Sequence, residues 1–181
     1  MTNPRLNDGM VTLVLMGVSG SGKSTLGRAL AAALAAPFLE GDDFHPPANI
    51  AKMSSGIALQ DEDRWPWLDS LGAAVRSVLQ EHTLAVVSCS ALKRRYRDRL
   101  RSEIRTPLMF IWITAPVDLI SSRMRHRHHY MPESLLISQI AALEPPDATE
   151  CALCVEATQP IEQLVGFVTE RVESLRASYR I

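Results

Sequence analysis

Gly17, Ser19, Gly20, Ser21, Gly22, Lys23, Ser24 and Thr25 fall in the run "GVSGSGKST", which matches G-x-x-x-x-G-K-[ST]. Glycines at these positions let the backbone turn tightly, so its N–H groups converge on phosphate oxygens at the positive end of the following helix. Lys23 would set a point charge on the β- and γ-phosphates, and the Ser24 hydroxyl would ligate magnesium. The chemistry is the binding of a nucleoside triphosphate, taken to be ATP with Mg2+.

A second polar constellation follows in "EGDDFHPPANIAKMSSGIALQDEDRWPWL", residues 40–68. Asp42 falls where a strand's carboxyl end meets the crevice of an open α/β sheet, and a carboxylate there orients or deprotonates an attacking hydroxyl. Lys52 and Arg64 would neutralise an acidic acceptor, Arg64 with a planar fork suited to a carboxylate. His45 joins this set of candidate acceptor contacts, whereas Asp43 is expected to be solvated. The mixture describes a small, hydroxyl-rich, anionic acceptor.

Cations recur further along. In "CSALKRRYRDRLR" (89–101), Lys93 and Arg94 lie just past a strand's end, within reach of the acceptor's carboxylate or the transferring phosphoryl group. Arg97, Arg99, Arg101 and Arg105 are expected on a solvated face. Arg123, Arg125 and Arg127 crowd "SRMRHRHHYMP" (122–132), where lid arginines would meet the phosphates. His126, His128 and His129 are read as solvated, and Cys151 and Cys154 of "CALC" as packing residues.

These groups need elements to hold them. Apolar runs at 11–17, 38–42, 84–90, 108–114 and 152–157 read as strands. Helical spacing follows the phosphate loop as far as Pro37, then recurs at 68–79 with Pro66 in a first turn capped by Asp61 or Asp63, over 92–104, and after Pro116, Pro132 and Pro160. Leu92, Tyr96, Leu100 and Ile104 mark one apolar stripe, and Leu135, Leu136, Ile140 and Leu143 another. Continuous apolar strands separated by helices imply a five-stranded parallel sheet covered on both faces.

The 181-residue chain, 46% apolar and with a net charge of −1, fits one globular domain, with an acceptor insert at about 41–68 and a lid at about 122–132. The near-neutral charge, and a basic stretch whose cations do not alternate with aromatics, argue against nucleic acid as a partner. No apolar run approaches a membrane span, no export signal is legible, and three cysteines suit the reducing cytoplasm. There is no N-K-x-D to read guanine, and "VVSCSA" ends its strand without the acid of a motor or AAA-type ATPase. What remains is a small-molecule kinase.

The chain resembles the gluconate kinases (gluconokinases) in "MGVSGSGKST", "EGDDFHPPANIAKMSSGIALQDEDRWPWL", "CSALKRRYRDRLR" and "MPESLLISQIAALEPP", in order and spacing from about 11 to 175. The resemblance implies a P-loop fold like that of nucleoside-monophosphate and shikimate kinases, with a mobile lid. It further implies ATP-dependent phosphorylation of D-gluconate at its terminal hydroxyl, giving 6-phosphogluconate, by a cytoplasmic homodimer. By similarity to shikimate kinases, Glu40 would hold magnesium through water and Asp42 would contact the acceptor hydroxyl. Arg123 and Arg127 match the family's lid cations, although "HHYMP" stands where the family usually has Gly-His-Phe-Met-Pro and is one residue shorter. Arg64, Lys93 and Arg94 all remain candidates for the acceptor's carboxylate. Shikimate, another sugar acid or a nucleotide remain as alternative acceptors, and a non-catalytic ATP-binding regulator is the more distant alternative.

Overall fold

The structure, a computed structural model, describes residues 9–125 and 134–178. Its centre is β1 (Val11–Met16), buried along its whole length. The strand alternates between two apolar layers: Val14 and Met16 join Leu39, Leu71 and Phe110, while Leu13 and Leu15 join Leu30, Ile111 and Val168. That two-sided burial is why the strands read as unbroken apolar runs.

Strand β1 pairs in parallel with β3 (Leu84–Ser88) and β4 (Leu108–Thr114), and β2 (Phe38–Glu40) and β5 (Ala152–Glu156) form the borders, giving the order β2-β3-β1-β4-β5. Helices α1 (Lys23–Ala33) and α7 (Ile161–Ser178) cover one face, and α3 (Asp61–Val78) and α4 (Arg94–Ile104) the other. The remaining helices, α2 (Pro47–Ser54), α5 (Val117–Arg125) and α6 (Ser134–Ala142), lie near the carboxyl ends of the strands, where such sheets bind ligands. No described helix is long and apolar enough to cross a membrane.

Several local expectations change. Strand β2 stops at Glu40, and Gly41–Phe44 form a single 3-10 turn instead. Helix α2 fills a stretch with no apolar periodicity to betray it. Helix α1 ends at Ala33, short of Pro37, because Ala35 takes a left-handed conformation at φ 49°. Pro66 lies inside α3, beyond its first turn, and the cap is Gln60, whose backbone N–H donates to the Asp63 carboxylate at 2.9 Å. Ile140 is exposed rather than inward.

Arg97 is the largest correction. It is buried (1% exposed), and its Nε and Nη2 donate to the two carboxylate oxygens of Glu150 at 2.7 Å each. Its Nη1 meets the carbonyls of Ala91, Leu92 and Glu144. The apolar stripe of α4 is buried as its spacing implies, but this arginine is buried with it, tying α4 to the chain that returns from α6. Cys151 and Cys154 are also corrected: both are exposed, and only Cys89 packs inside.

Gly41 permits a close approach on which the site depends. A Cβ there would lie 2.1 Å from the Ser88 carbonyl oxygen, a backbone atom that cannot swing away. Gly41→Ala is therefore expected to push the 3-10 turn off β3 and to cost roughly 1–3 kcal/mol, the usual range for overpacking, read by denaturant unfolding.

Candidate active site

The phosphate loop joins β1 to α1 with Gly17, Gly20 and Gly22 at φ 139°, 78° and 107°. A Cβ on Gly17 would come within 2.8 Å of the Ile113 carbonyl oxygen, and one on Gly20 within 2.9 Å of Met124 Cγ, so both positions need glycine for shape and for space. The Ser19 N–H donates to Gln139 Oε1 at 2.7 Å, so this amide already faces an oxygen acceptor. Ser21 Oγ is buried with no partner among the described residues. Lys23 Nζ donates to the Val18 carbonyl at 3.0 Å, holding the ammonium over the loop.

Two concavities flank this loop. One is lined by Gly22, Thr25, Arg123, Gln159, Ile161 and Leu164 among others, between α1 and the turn after β5. Arg123 bridges its walls, donating to the Ser21 carbonyl at 3.3 Å and the Ala157 carbonyl at 3.2 Å. It suits a nucleoside, with apolar walls for a base and a cation at its mouth.

The other concavity brings Ser19, Lys23, Asp42, His45 and Arg64 together over a floor that includes Trp67. Asp42 is held at its rim by the 3-10 turn that replaces the end of β2. The turn is anchored twice: the Gly41 N–H donates to Ser88 Oγ at 3.2 Å, and Trp67 Nε1 donates to the Gly41 carbonyl at 2.7 Å. Asp43 points to solvent, as expected. His45 stacks on Trp67 with ring centroids 4.1 Å apart, and burial, reinforced by the Arg64 charge, lowers its pKa to about 4.

Arg64 Nη1 donates to the Leu59 carbonyl at 2.5 Å and to the Tyr96 hydroxyl at 3.2 Å, with its guanidinium 5.2 Å from the Tyr96 ring centroid. The Tyr96 hydroxyl in turn donates to Asp61, which also takes Lys93 at 3.0 Å and pairs with Arg95. Asp61 is held below the usual carboxylate range, first by Tyr96 and then by its cations. Burial and the Asp61 contact push the Tyr96 phenol up to about 12. Hydrogen bonds on one side thus orient Arg64 while its other face lines the cleft.

The remaining acceptor-binding cations named from sequence are drawn elsewhere. Lys52 pairs with Asp63 at 2.6 Å, Lys93 with Asp61, and Arg94 Nη1 with Asp147 at 2.5 Å while its Nη2 meets Thr149 at 3.1 Å. Of all the cations named for the acceptor, only Arg64 lines the cleft, facing Lys23 of the phosphate loop. An opposite charge captured each of the other three, from 11, 32 and 53 residues away, and no single-helix pattern foretells such partners. Arg127 and the three histidines expected in a lid, His126, His128 and His129, lie outside the described residues. Sequence reasoning gave no role to Gln139, Gln159 or Asn49, and read Tyr96 only as part of an apolar stripe.

Ser24 and Glu40 offer oxygen donors, the kind magnesium takes. Glu40 accepts from the Ser88 hydroxyl and lies 3.6 Å from Arg28, which keeps its carboxylate at the sheet edge. Among the described residues no cluster of three or more His, Cys, Asp or Glu side chains could hold a metal alone. The glycine cradle and the unpartnered Ser21 hydroxyl fit a polyphosphate.

A parallel sheet in this order, a glycine cradle at its centre and an acid-and-arginine cleft beside it define a P-loop small-molecule kinase. A family model described as an AAA domain matches residues 13–146. Strand β3 nevertheless ends at Ser88 and is followed by Cys89, without the acid that a mechanical ATPase carries there. The thermosensitive gluconokinase of Escherichia coli K12 is 47% identical over 140 residues, covering 77% of this chain and 74% of that one. The crystal structure of a gluconokinase from Sinorhizobium meliloti 1021 superposes with a TM-score of 0.79 at 43% identity, covering 95% and 96% of the two chains. That of an unliganded sugar kinase from Janibacter sp. HTCC2649 gives 0.83 at 41%, covering 93% and 97%. The chain belongs to the gluconokinase family.

Proposed function

We infer that the chain transfers the γ-phosphoryl group of ATP to the terminal hydroxyl of D-gluconate, yielding 6-phosphogluconate and ADP. The observation that carries this is the single cleft in which Lys23, Asp42 and Arg64 face one another beside the phosphate loop. It is one kinase domain in this reading, with residues 41–68 as acceptor insert and 122–132 as lid, working in the cytoplasm as a homodimer.

Arg64 holds the acceptor's carboxylate at one end of the cleft, leaving the terminal hydroxyl to reach Asp42 at the other. Lys23 and the loop amides grip the polyphosphate, Ser24 and Glu40 are the residues that would hold magnesium, and Arg123 steadies the nucleotide. Magnesium, when bound, neutralises charge on the phosphate oxygens. Asp42 aligns the hydroxyl and takes its proton as the oxygen bonds to the γ-phosphorus. The bond from that phosphorus to the β–γ bridging oxygen breaks, and ADP leaves. Arg127 is proposed as the lid cation that meets the charge developing on the phosphoryl group. Such chemistry is mainly positioning and electrostatics.

A panel of acceptors read by ADP release tests the assignment. Gluconate should turn over well and shikimate or nucleotides poorly; robust shikimate turnover without gluconate turnover would overturn it. Arg64→Lys should raise KM for gluconate roughly tenfold or more while kcat changes less, because an ammonium cannot make the two parallel bonds of a guanidinium.

A further inference from the structure

Asn49 is buried at the start of α2, and its one amide nitrogen meets two atoms: the Asp63 carbonyl oxygen at 2.7 Å and His45 Nδ1 at 3.4 Å. A carbonyl oxygen only accepts, so the first contact fixes which end of the amide is nitrogen. That nitrogen carries two hydrogens and no acceptor lone pair, so the second is directed to Nδ1. An Nδ1 that accepts bears no proton. The ring's proton must then be on Nε2.

We propose that Asn49 locks His45 in the Nε2–H tautomer, making His45 a one-way hydrogen-bond donor to a hydroxyl oxygen of the acceptor. Asn49 is a positioning residue in this scheme, and His45 a specificity-determining one. The proposal rests on the acceptor cleft assigned above, whose wall includes His45.

The ring has little freedom to do otherwise. It is stacked on Trp67 at an interplanar angle of 18°, and Trp67 is itself pinned to the Gly41 carbonyl. With Nδ1 turned to Asn49, Nε2 is the hydrogen-bonding atom left to the cleft. The charged groups that line the cleft with it are Arg64 on α3, Lys23 on α1 and Asp42 on the 3-10 turn. The Asp63 carboxylate is spent on Lys52 and on the Gln60 N–H. Burial and Arg64 keep the imidazole neutral at physiological pH.

The chemistry is selective. A neutral N–H donates to an alcohol oxygen without competing for the proton that alcohol gives away, and without the pull of a cation on phosphate. A polyol oxygen is therefore accepted, and a bare methylene at that position leaves the donor unpaired, which is a costly outcome in a buried site.

The test begins with nitrogen-resolved NMR of histidine-labelled protein without acceptor, with His45 assigned by the loss of its signals in His45→Gln. At pH 7 the spectrum should show a protonated Nε2 and a bare Nδ1; an Nδ1–H ring or a doubly protonated one overturns the proposal. Steady-state kinetics supply the second readout. His45→Gln, whose side-chain N–H₂ reaches the Nε2 position, should hold KM for gluconate within about threefold, while His45→Leu should raise it about tenfold with KM for ATP unchanged. Asn49→Asp, which presents an acceptor to Nδ1, should move the proton and match His45→Leu in KM. Equal behaviour of the Gln and Leu variants would overturn the donor role. If Asn49→Asp does not fold, the wild-type spectrum and the two His45 variants still decide. The tautomer is read without acceptor, so failure of wild-type enzyme to phosphorylate gluconate would refute the function and leave the tautomer standing.

Discussion

Asp42→Asn should lower kcat roughly a hundred- to ten-thousand-fold, the range for loss of a positioned general base. KM for ATP should stay near its original value, because the loop amides and Lys23, rather than this carboxylate, are the proposed polyphosphate contacts. The substitution changes almost no volume, and the anchors of the turn, Gly41 on Ser88 and Trp67, do not involve the Asp42 side chain. Folding should therefore survive, and any loss belongs to chemistry. The size of the loss also separates two roles. An amide oxygen can still align a hydroxyl but cannot take its proton, so a loss of only a few-fold would mean alignment alone. Turnover equal to wild type would remove Asp42 from the mechanism. Rapid-quench measurement of the first turnover is the decisive assay, since it isolates phosphoryl transfer from product release.

Arg97→Ala should cost about 3–5 kcal/mol of stability, the penalty for stranding one partner of a buried ion pair. At 2–4 °C per kcal/mol for a chain of this size, that is a fall of roughly 6–20 °C in the melting temperature. Both side chains of the pair are 1% exposed, so water cannot replace the missing guanidinium. Three backbone carbonyls lose their donor as well. The pair also has a pH signature. Hydrogen bonds from Arg97, then Arg101, lower the Glu150 pKa from 4.5 to about 2. A depressed carboxylate stabilises the fold fully above its unfolded value and loses that contribution as pH falls through the folded one. Wild-type stability should thus decline between about pH 4.5 and 2, and Arg97→Ala should lose most of that slope.

The sheet was legible because its chemistry is local. A strand buried on both faces needs an unbroken apolar run, and β1, β3 and β4 supply one each. The cradle was legible for the same reason, since its spacing encodes a backbone shape. Arg97 was not. On α4 it is one cation among many, and only its encounter with Glu150, 53 positions later, takes it out of water. Lys93 and Arg94, expected at the acceptor, are paired for the same reason with Asp61 and Asp147. Charges on a helix announce their number but not their partners, whereas Asp42 and Arg64, which the structure brings to one cleft, each sit at a fixed offset from an element the pattern defines. Asn49 carried no visible signal: its role depends on which neighbour its amide meets.

The unequal thiols have a practical side. Cys89 lies inside, at the end of β3, and burial pushes its pKa up to about 12, so it stays protonated and shielded. Cys151 and Cys154 are open to reagents at the opposite border of the sheet from Glu40, four strand spacings or about 19 Å across. A fluorophore or spin label attached by maleimide would decorate that border while sparing the cleft lined by Lys23, Asp42 and Arg64, giving a native handle for tracking the molecule at work without first engineering one in.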